Sequence, residues 1–439
     1  MKVLLIAPTA LDNKGNPITQ GRLYLPGLTL PMLAAVTPSY VKLKLVYETV
    51  DKIPFNESWD LVGLTGMGSG IYRAWQIGDI FRSKGVKVVL GGIGASLLGQ
   101  EECLKHCDSI VLGEAEDIWP HVINDARQGQ LKQFYSSPFP PDINNLPVPR
   151  LDLLEKNKLG LWRPVQVARG CPHSCNFCSV STYYNRSYRK QPIENVIRDV
   201  RAAKKTGSKF IAFIDDNIGV DFNYSKKLWE ALISEKIIWI SQCSLHITER
   251  PDMLKLAYES GCRLLSFGIE TTSETSLSNI GKTFNNPERY SESIALIKSH
   301  GIDVSTEMMI GLDGDDSSVY QKTFDFIMNN HISTPRIHIF TPIPGTPVYQ
   351  ELENEKRIVH KNFNLYSGGN VVFKPKKLSI ADLQLNYWKL YKELFKLKSI
   401  WRRIKKNEAS LGPIMRGFVI GVNFHYRNHI KKGICPGIV

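Results

Sequence analysis

The segment RGCPHSCNFCSV (residues 169–180) carries three cysteines in the spacing C-x3-C-x2-C within one predicted loop. Cys171, Cys175 and Cys178 are near enough in sequence for their thiolates to reach a single metal centre. A structural zinc ion takes four protein ligands, and no further ligand pair follows at zinc-finger spacing. A reactive thiol needs one cysteine, whereas an iron–sulfur cluster usually takes four. Three cysteines on a cluster leave one iron open to another ligand, which is a catalytic arrangement.

The chain around this segment, residues 160–350, alternates predicted strands with predicted amphipathic helices. The six strand segments read PVQVARG, KFIAFIDDN, IIWISQCSL, RLLSFGIET, DVSTEMMIG and RIHIFTP. Six β/α units in succession predict a partial, six-stranded TIM-like barrel. Active sites of such barrels lie on the loops that follow the strands. The three cysteines follow the first strand, so they are predicted to lie at the active face.

Residues 1–135 show the same alternation, with five short apolar segments: VLLIAP, LKLVYE, LVGLTGM, KVVLGG and SIVLGE. Continuous apolar strands separated by helices predict an α/β fold with a doubly wound parallel sheet, covered on both faces. Ligands of such sheets bind at the carboxyl ends of the strands, where Gly91, Gly92 and Gly113 lie. Glycines let the backbone approach a large ligand closely. The pattern favours a bound nucleotide-like or tetrapyrrole group.

Two further regions complete the predicted domain organisation. Residues 136–159 begin with SSPFPPDINNLPVPR, whose five prolines predict an extended linker. Residues 351–439 form a predicted helical extension. From position 386 onward this extension holds twelve basic and two acidic residues, in a chain of net charge +13.

The basic extension has two interpretations. Its charges are interleaved with aromatic and aliphatic residues, which is typical of a helix that docks on a membrane surface or a partner. It could equally be a helix that closes the open side of the barrel and leaves its lysines in water. Nucleic-acid binding is disfavoured because no recognisable binding module accompanies the charge.

The location of the protein is predicted from what the sequence lacks. No apolar stretch reaches the roughly 18 residues that a membrane-spanning helix needs, and the amino terminus has no secretory pattern. The chain is therefore predicted to be cytoplasmic. Peripheral membrane contact through the basic carboxyl terminus is an extension of that prediction.

The cysteine motif, with an aromatic residue (Phe177) before its last cysteine, resembles that of the radical S-adenosylmethionine (SAM) superfamily. The resemblance implies a four-iron four-sulfur cluster held by Cys171, Cys175 and Cys178. In that family SAM chelates the open iron. An electron from a donor such as flavodoxin or ferredoxin reaches the cluster and then cleaves SAM to a 5′-deoxyadenosyl radical. Motif, strand context and the following β/α pattern agree.

The same resemblance implies the SAM contacts. Asp215 and Asp216, in FIDDN at the end of the second strand, correspond to family positions that bind the methionyl ammonium group; a helix N-cap is the structural alternative. Glu270, in FGIET, corresponds to a residue that contacts the ribose. MMIGLDG (308–314) and TPIPGTP (341–347) correspond to the turns around the adenine.

The amino-terminal unit resembles the cobalamin-binding domain of one radical SAM subgroup, and the glycines at positions 91, 92 and 113 would then contact cobalamin. Ordinary corrinoid carriers have Asp-x-His-x-x-Gly after the first strand, but this chain reads LDNKGNP there and has no histidine before His106. The resemblance therefore implies cobalamin without a histidine ligand, with Met67 near its lower face. Loss of cobalamin, leaving a domain that frames the substrate, is the alternative.

The function implied is methyl transfer from methylcobalamin to an unactivated carbon, with two SAM molecules consumed. A radical cyclase, rearrangement or coupling enzyme is the second candidate, and an iron–sulfur sensor is the non-enzyme alternative. Methylthiolating relatives that act on transfer RNA are set aside because their second cysteine trio is missing. The substrate class stays open among small molecules, lipids and peptides.

Overall fold

The amino-terminal part of the chain forms a parallel sheet of six strands in the computed structural model, which describes residues 1–405, 407, 409 and 411–437. The strand order is 2-1-3-4-5-6, with every pair parallel. The strands are β1 (Lys2–Ala7), β2 (Lys42–Tyr47), β3 (Leu61–Thr65), β4 (Lys87–Gly91), β5 (Ser109–Val111) and β6 (Phe134–Tyr135). The helices are α1 (Thr29–Val36), α2 (Gly70–Ser83), α3 (Ile93–Leu97), α4 (Gln100–Leu104) and α5 (Trp119–Arg127).

Burial explains why these apolar segments are strands. Residues alternate between the two faces of a strand, and both faces of β1 are covered. Val3 and Leu5 belong to one apolar core, while Leu4 and Ile6 belong to a second on the opposite face. The doubly wound sheet predicted from the sequence is confirmed, with β6 as an additional two-residue edge strand.

The second sheet also has six parallel strands, in the order 14-13-12-11-10-7. They are β7 (Arg163–Val165), β10 (Phe210–Phe213), β11 (Ile238–Cys243), β12 (Cys262–Glu270), β13 (Asp303–Ile310) and β14 (Thr334–Ile339). The helices among them are α6 (Ser179–Tyr183), α7 (Ile193–Lys205), α8 (Phe222–Ile233), α9 (Pro251–Glu259), α10 (Glu274–Asn279), α11 (Tyr290–Ser299) and α12 (Val319–Asn329). This confirms the partial β/α barrel.

The first barrel strand differs from its predicted form. The segment PVQVARG is not one strand, because the backbone leaves the sheet after Val165. It continues as β8 (Ala168–Arg169), which pairs antiparallel with β9 (Arg189–Lys190). The cysteine loop therefore follows this short ribbon rather than β7 itself.

The proline-rich segment is packed against the rest of the chain. It contains three short 3-10 helices and one bridge between Leu23 and Leu159. Its apolar side chains Ile143, Leu146, Leu151 and Leu154 are buried. The predicted linker is thus a fixed connection, since burial of these side chains removes its freedom.

The carboxyl-terminal extension is helical and closes the barrel. It comprises α13 (Pro347–Asn354), α14 (Ile380–Leu394), α15 (Leu397–Lys405) and α16 (Pro413–Lys431). Met415 and Val419 of α16 pack with Phe210, Ala212 and Leu264 from the inner faces of the barrel strands. This face of α16 therefore fits the interpretation in which the extension closes the barrel.

The charged residues counted from position 386 onward include Lys406 and Glu408, which lie outside the described residues. Another residue of that count, Arg403, is fully buried. Its guanidinium donates to the carbonyl oxygens of Ile332 and Ser333, both at 2.9 Å. In the described part of the chain, no helix combines the length and apolar character needed to cross a bilayer.

Candidate active site

A cavity of about 190 Å³ lies at the carboxyl ends of the barrel strands and brings together five of the six site residues that were predicted within the barrel. The predicted residues that line it are Cys171, Cys175, Cys178, Asp216 and Glu270. Further lining residues, which the sequence did not single out, include Lys282 and Glu307.

The cysteine loop is held by backbone contacts at its base and its tip. Gly170 has a φ of 84°, and a Cβ there would lie 2.2 Å from the carbonyl oxygen of Ser187, so only glycine fits. At the tip, the amide of Asn176 donates to the carbonyl oxygen of Ile280 at 3.2 Å, and its side chain donates to that of Asn279 at 3.0 Å. The segment after β12 thus fixes the loop.

The three cysteines are free thiols with one cavity in common. Burial raises the pKa of Cys175 to about 11 and also raises that of Cys171. Iron would offset this cost, because a coordinating thiol loses its proton to the metal. Among the described residues, no three His, Cys, Asp or Glu side chains converge tightly enough for a single ion. A cluster is larger than one ion, so more widely spaced thiols suit it.

The neighbouring carboxyls Asp215 and Asp216 point in opposite directions, as successive residues at the end of a strand do. Asp216 lines the cavity, and burial raises its pKa to about 6. The buried carboxylate of Asp215 instead accepts the amide hydrogens of Val167 and Ala168. It is not a helix N-cap either, because Asp221 caps α8. Asp215 therefore stabilises the backbone where the chain leaves β7.

The buried carboxyl of Asp215 predicts that Asp215→Asn stabilises the folded protein, by an amount that depends on pH. Burial raises its pKa from the ordinary 3.8 to about 7, so ionisation of the folded protein costs free energy between those values. Asparagine keeps an acceptor oxygen for both amides and carries no charge. We expect the difference in urea midpoint between the variant and wild type to increase as the pH rises from about 4 to about 7. Above about pH 7 this difference should stay constant. The exposed control Asp117→Asn should change little at any pH, and a pH-independent difference for Asp215→Asn would contradict this account.

Glu270 ends β12 in a backbone conformation that is rare for a non-glycine residue. Its φ is 61°, and the register of β12 shifts between Gly268 and Glu270. The carboxylate accepts from Lys282 Nζ at 2.6 Å, with both side chains about nine-tenths buried. A Cβ at Gly268 would lie 2.5 Å from the Glu270 carboxylate, so glycine makes room for the pair. Strained backbone of this kind clusters at functional sites.

A buried ion-pair network joins the first sheet to the cysteine loop. Glu114 and Glu116 follow β5, and both pair with Arg169, which precedes the loop. Arg189 of β9 pairs with Glu114 as well. The sequence predicted a role for the neighbouring Gly113 but none for these two glutamates. They connect the carboxyl edge of the sheet to the barrel mouth.

The glycines of the first sheet serve different purposes. Gly92 has a φ of 93°, and a Cβ there would lie 2.7 Å from Thr65 Oγ1, so it permits close packing of the strand ends. Gly91 would meet only ordinary contacts, and Gly113, with a φ of 77°, faces open space. Met67 is 67% exposed although it follows a buried central strand.

Comparison with known proteins assigns the class. The model of the radical SAM superfamily matches residues 165–327. The chain is 30% identical over 417 residues to a bacteriochlorophyllide d C-12(1)-methyltransferase of Chlorobaculum tepidum, covering 92% of this chain and 89% of the relative. It is also 30% identical over 403 residues to the C-8(2)-methyltransferase of the same organism, with 88% of each chain covered.

Two solved structures share the fold. The radical SAM methyltransferase TsrM from Kitasatospora setae superposes with a TM-score of 0.65 at 15% identity, over 88% of this chain and 81% of that one. The cobalamin-dependent enzyme OxsB superposes with a TM-score of 0.69 at 15% identity, over 98% of this chain and 71% of that one.

The cavity, the barrel and these matches define a cluster-dependent enzyme. The chain belongs to the radical SAM superfamily, whose members use a four-iron four-sulfur cluster and SAM and need a reductant. The superfamily assignment made from the cysteine motif is confirmed.

Proposed function

We propose that this enzyme transfers a methyl group to an unactivated carbon of a small-molecule acceptor. The main structural support is that the three motif cysteines share one cavity with Asp216, Glu270 and Lys282. The methyltransferase relatives that span most of the chain support methyl transfer over cyclisation or rearrangement. When bound, the cluster and SAM would supply a 5′-deoxyadenosyl radical, and cobalamin would supply the methyl group.

The residues of this chain would hold those groups and exclude water. The cysteine thiolates at 171, 175 and 178 would ligate three irons, and Asp216 would accept a hydrogen bond from the methionyl ammonium group. Glu270 would accept from a ribose hydroxyl, and Lys282 would hold its carboxylate in place through their short contact. Asp215 would not contact SAM, since its carboxylate already accepts hydrogen bonds from two backbone amides.

Cobalamin is proposed to bind at the carboxyl edge of the first sheet. Gly68, Gly70 and Gly113 each face open space there, and Met67 projects from the same edge. This surface also approaches the barrel, because Gly345 lies against the backbone of Leu97. An open, glycine-lined edge suits a large flat ligand.

Product mass tests the proposed function. Wild-type enzyme, reconstituted without oxygen with iron, sulfide and hydroxocobalamin, is given SAM, a reductant and extract of a strain that lacks the gene. One metabolite should gain a single CH2 unit, and SAM with a trideuterated methyl group should place that label in the product. A product without added carbon would favour cyclisation or rearrangement instead.

The missing carrier histidine predicts the state of bound cobalamin. We expect its nucleotide base to be displaced and no histidine to coordinate cobalt. Electron paramagnetic resonance of the cobalt(II) form should therefore lack nitrogen superhyperfine splitting. Free cobalamin at the same pH, with its base coordinated, is the control. A clear nitrogen triplet, or no cobalamin uptake, would contradict the proposal.

We also propose that the outer face of α15 and α16 contacts an anionic membrane surface. Leu397, Trp401, Ile414 and Phe424 on these helices are all about half exposed or more. Neither helix contains an acidic residue. The patch continues onto the loop after β1, where the ring of exposed Tyr24 lies 5.5 Å from that of His425. Apolar side chains flanked by cations suit a headgroup interface.

Vesicle sedimentation tests this contact. Each basic residue near an anionic surface adds about 1 kcal/mol of binding free energy. Wild-type protein should therefore sediment with phosphatidylserine vesicles, and added salt should release it from them. Trp401→Ala combined with Phe424→Ala should lower the bound fraction severalfold. Phe139→Ala removes a side chain that is 77% exposed on a different segment and should bind as wild type. Equal binding by all three proteins, or none, would refute the contact.

A further inference from the structure

Three neighbouring strands of the barrel change from apolar to polar on their inner faces, just inside the cysteine cavity. On β11, Ile240 belongs to the apolar core beneath α16, whereas Gln242 on the same face is exposed. On β12, Leu264 belongs to that core, and Ser266 follows on the same face. Glu307 of β13 joins them, and Gln242, Ser266 and Glu307 all line the cysteine cavity. These three residues form a polar row, to which the proposed function gives no role.

The carboxylate of Glu307 is ionised and has one oxygen with room for a further partner. Oε1 accepts from the Ser266 hydroxyl at 3.3 Å and pairs with Arg336. Oε2 has His338 Nε2 at 3.5 Å, which is long for a hydrogen bond. Burial raises the pKa of Glu307, but Arg336 and His338 together lower it below the ordinary value. The side chain is 24% exposed and lines the cavity, so Oε2 can accept another hydrogen bond.

The side-chain amide of Gln242 is the second group of the row that remains open. Gln242 lines the cavity, and its amide makes no hydrogen bond within the part of the chain that the structure describes. An amide both donates and accepts. Gln242 lies opposite Ser266 in the register of β11 and β12, and Glu307 lies opposite Gly268. The amide and the carboxylate therefore lie on the two sides of Ser266, in the wall of one cavity.

These two groups restrict the chemistry of a ligand that lies beside them. An ionised carboxylate accepts hydrogen bonds and donates none. An apolar surface against it would remove its water without replacing the hydrogen bonds, which is unfavourable. Arg336 already balances the charge of Glu307, so the ligand needs no positive charge. A hydroxyl group fits, because it is uncharged, donates to a carboxylate and accepts from an amide.

The row lies deeper in the barrel than the groups proposed to hold SAM. Ser266 precedes Glu270 by four residues on β12, which corresponds to about 13 Å along a strand. A second cavity of about 330 Å³ adjoins the cysteine cavity, so a ligand has more space than the cysteine cavity alone. The two cavities share the lining residues His173, Asn217, Ser244, Phe284 and Asn285.

We propose that the polar row binds a hydroxyl group of the methyl acceptor, an inference that rests on the proposed methyl transfer. The hydroxyl would donate to Glu307 Oε2, and the Gln242 amide would bind a polar atom of the same molecule. Hydrogen bonds to an ionised group are stronger than those between neutral groups. Glu307 would therefore orient the methyl acceptor, with its reacting carbon toward the cysteine cavity.

The first test compares a hydroxyl compound with its capped forms. The unmethylated compound that accumulates in a strain lacking the gene is purified, and each of its hydroxyl groups is acetylated in turn. In equilibrium dialysis with reconstituted wild-type enzyme and SAM, one acetylated form should bind roughly 10- to 100-fold more weakly than the free compound, because a hydrogen bond to a charged group is lost.

Glu307→Gln separates this hydrogen bond from a steric effect of the acetyl group. The variant keeps an oxygen for Ser266 and Arg336 but has no charge, so the ratio between free and acetylated compound should fall about fivefold or more. A steric effect would leave the ratio unchanged and overturn the proposal. An accumulated compound without a hydroxyl group would overturn it as well.

Gln242→Leu tests the row with a variant that loses no internal hydrogen bond and keeps most of the side-chain volume. Its KM for the purified compound should rise about three- to tenfold, because one neutral hydrogen bond is lost. Gln321→Leu, at an exposed position of α12, should keep the wild-type KM. An unchanged KM in Gln242→Leu would contradict the role of the amide.

Two further outcomes separate the methyl acceptor from SAM and this inference from the proposed function. Glu307→Gln and Gln242→Leu should bind SAM with wild-type affinity when no other compound is present. Loss of SAM affinity would place SAM at the polar row and overturn the proposal. A product without added carbon would refute methyl transfer, whereas the dialysis ratio tests the polar row alone.

Discussion

Replacement of Cys171, Cys175 and Cys178 by alanine is expected to abolish both iron–sulfur absorption and SAM cleavage. The proposed cluster has no other protein ligands in the motif, and each thiolate would bind one iron. After anaerobic reconstitution, the broad band at roughly 400 nm should be lost together with the iron content. Formation of 5′-deoxyadenosine from SAM should fall to the level of a protein-free control.

Cys243→Ala is the matched control for this experiment. Cys243 is buried and lines the same cavity, but it belongs to β11 and lies outside the motif. Its replacement should leave cluster content and SAM cleavage close to wild type. A triple variant that still produced 5′-deoxyadenosine would refute the assignment of the cluster ligands, and loss of the cluster in Cys243→Ala would point to a different ligand set.

Arg169→Ala is expected to cause the largest loss of stability of any single side-chain change considered in this protein. The three side chains of the Arg169, Glu114 and Glu116 network are about nine-tenths buried. Removing the arginine leaves two buried carboxylates with reduced compensation, which typically costs about 3–5 kcal/mol. The loss should appear as a lower urea midpoint and as poorer retention of the cluster, because Arg169 directly precedes the cysteine loop.

Two controls separate the charge effect from loss of packing. Arg150→Ala breaks an exposed ion pair with Asp152 and should cost less than about 1 kcal/mol. Arg169→Met combined with Glu116→Gln removes one buried charge of each sign, keeps most of the volume and leaves Glu114 paired with Arg189, so it should recover much of the lost stability. If Arg169→Ala and Arg150→Ala were equally stable, the network would not carry the connection between the sheet and the loop.

The sequence predicted both parallel sheets because their strands are short, continuous apolar runs between turn residues. It also predicted the cysteine loop, since a closely spaced trio is a local pattern. The break after Val165 could not be found in this way. It depends on Asp215, 48 residues or so along the chain, whose carboxylate satisfies the two amides that leave the sheet.

Other site residues escaped because they act through partners distant in sequence. Lys282 becomes a site residue only when Glu270 turns toward it at the end of β12. Glu307 is an isolated charge in an apolar strand segment, and its place in the cavity wall beside Ser266 requires knowledge that β12 and β13 are neighbours. Strand parity could have separated Asp216 from Asp215, since only alternate residues of a barrel strand face inward.

The position of α16 against the inner faces of the strands has a consequence for biosynthesis. During translation the barrel strands emerge from the ribosome well before Met415 and Val419, which complete the core around Phe210 and Leu264. Until the last helix arrives, that apolar surface and the edge of β14 stay uncovered, and exposed strand edges invite aggregation. The nascent chain would therefore need protection from aggregation until Val419 has emerged, and a stop codon ahead of Met415 would produce insoluble protein rather than a shortened enzyme.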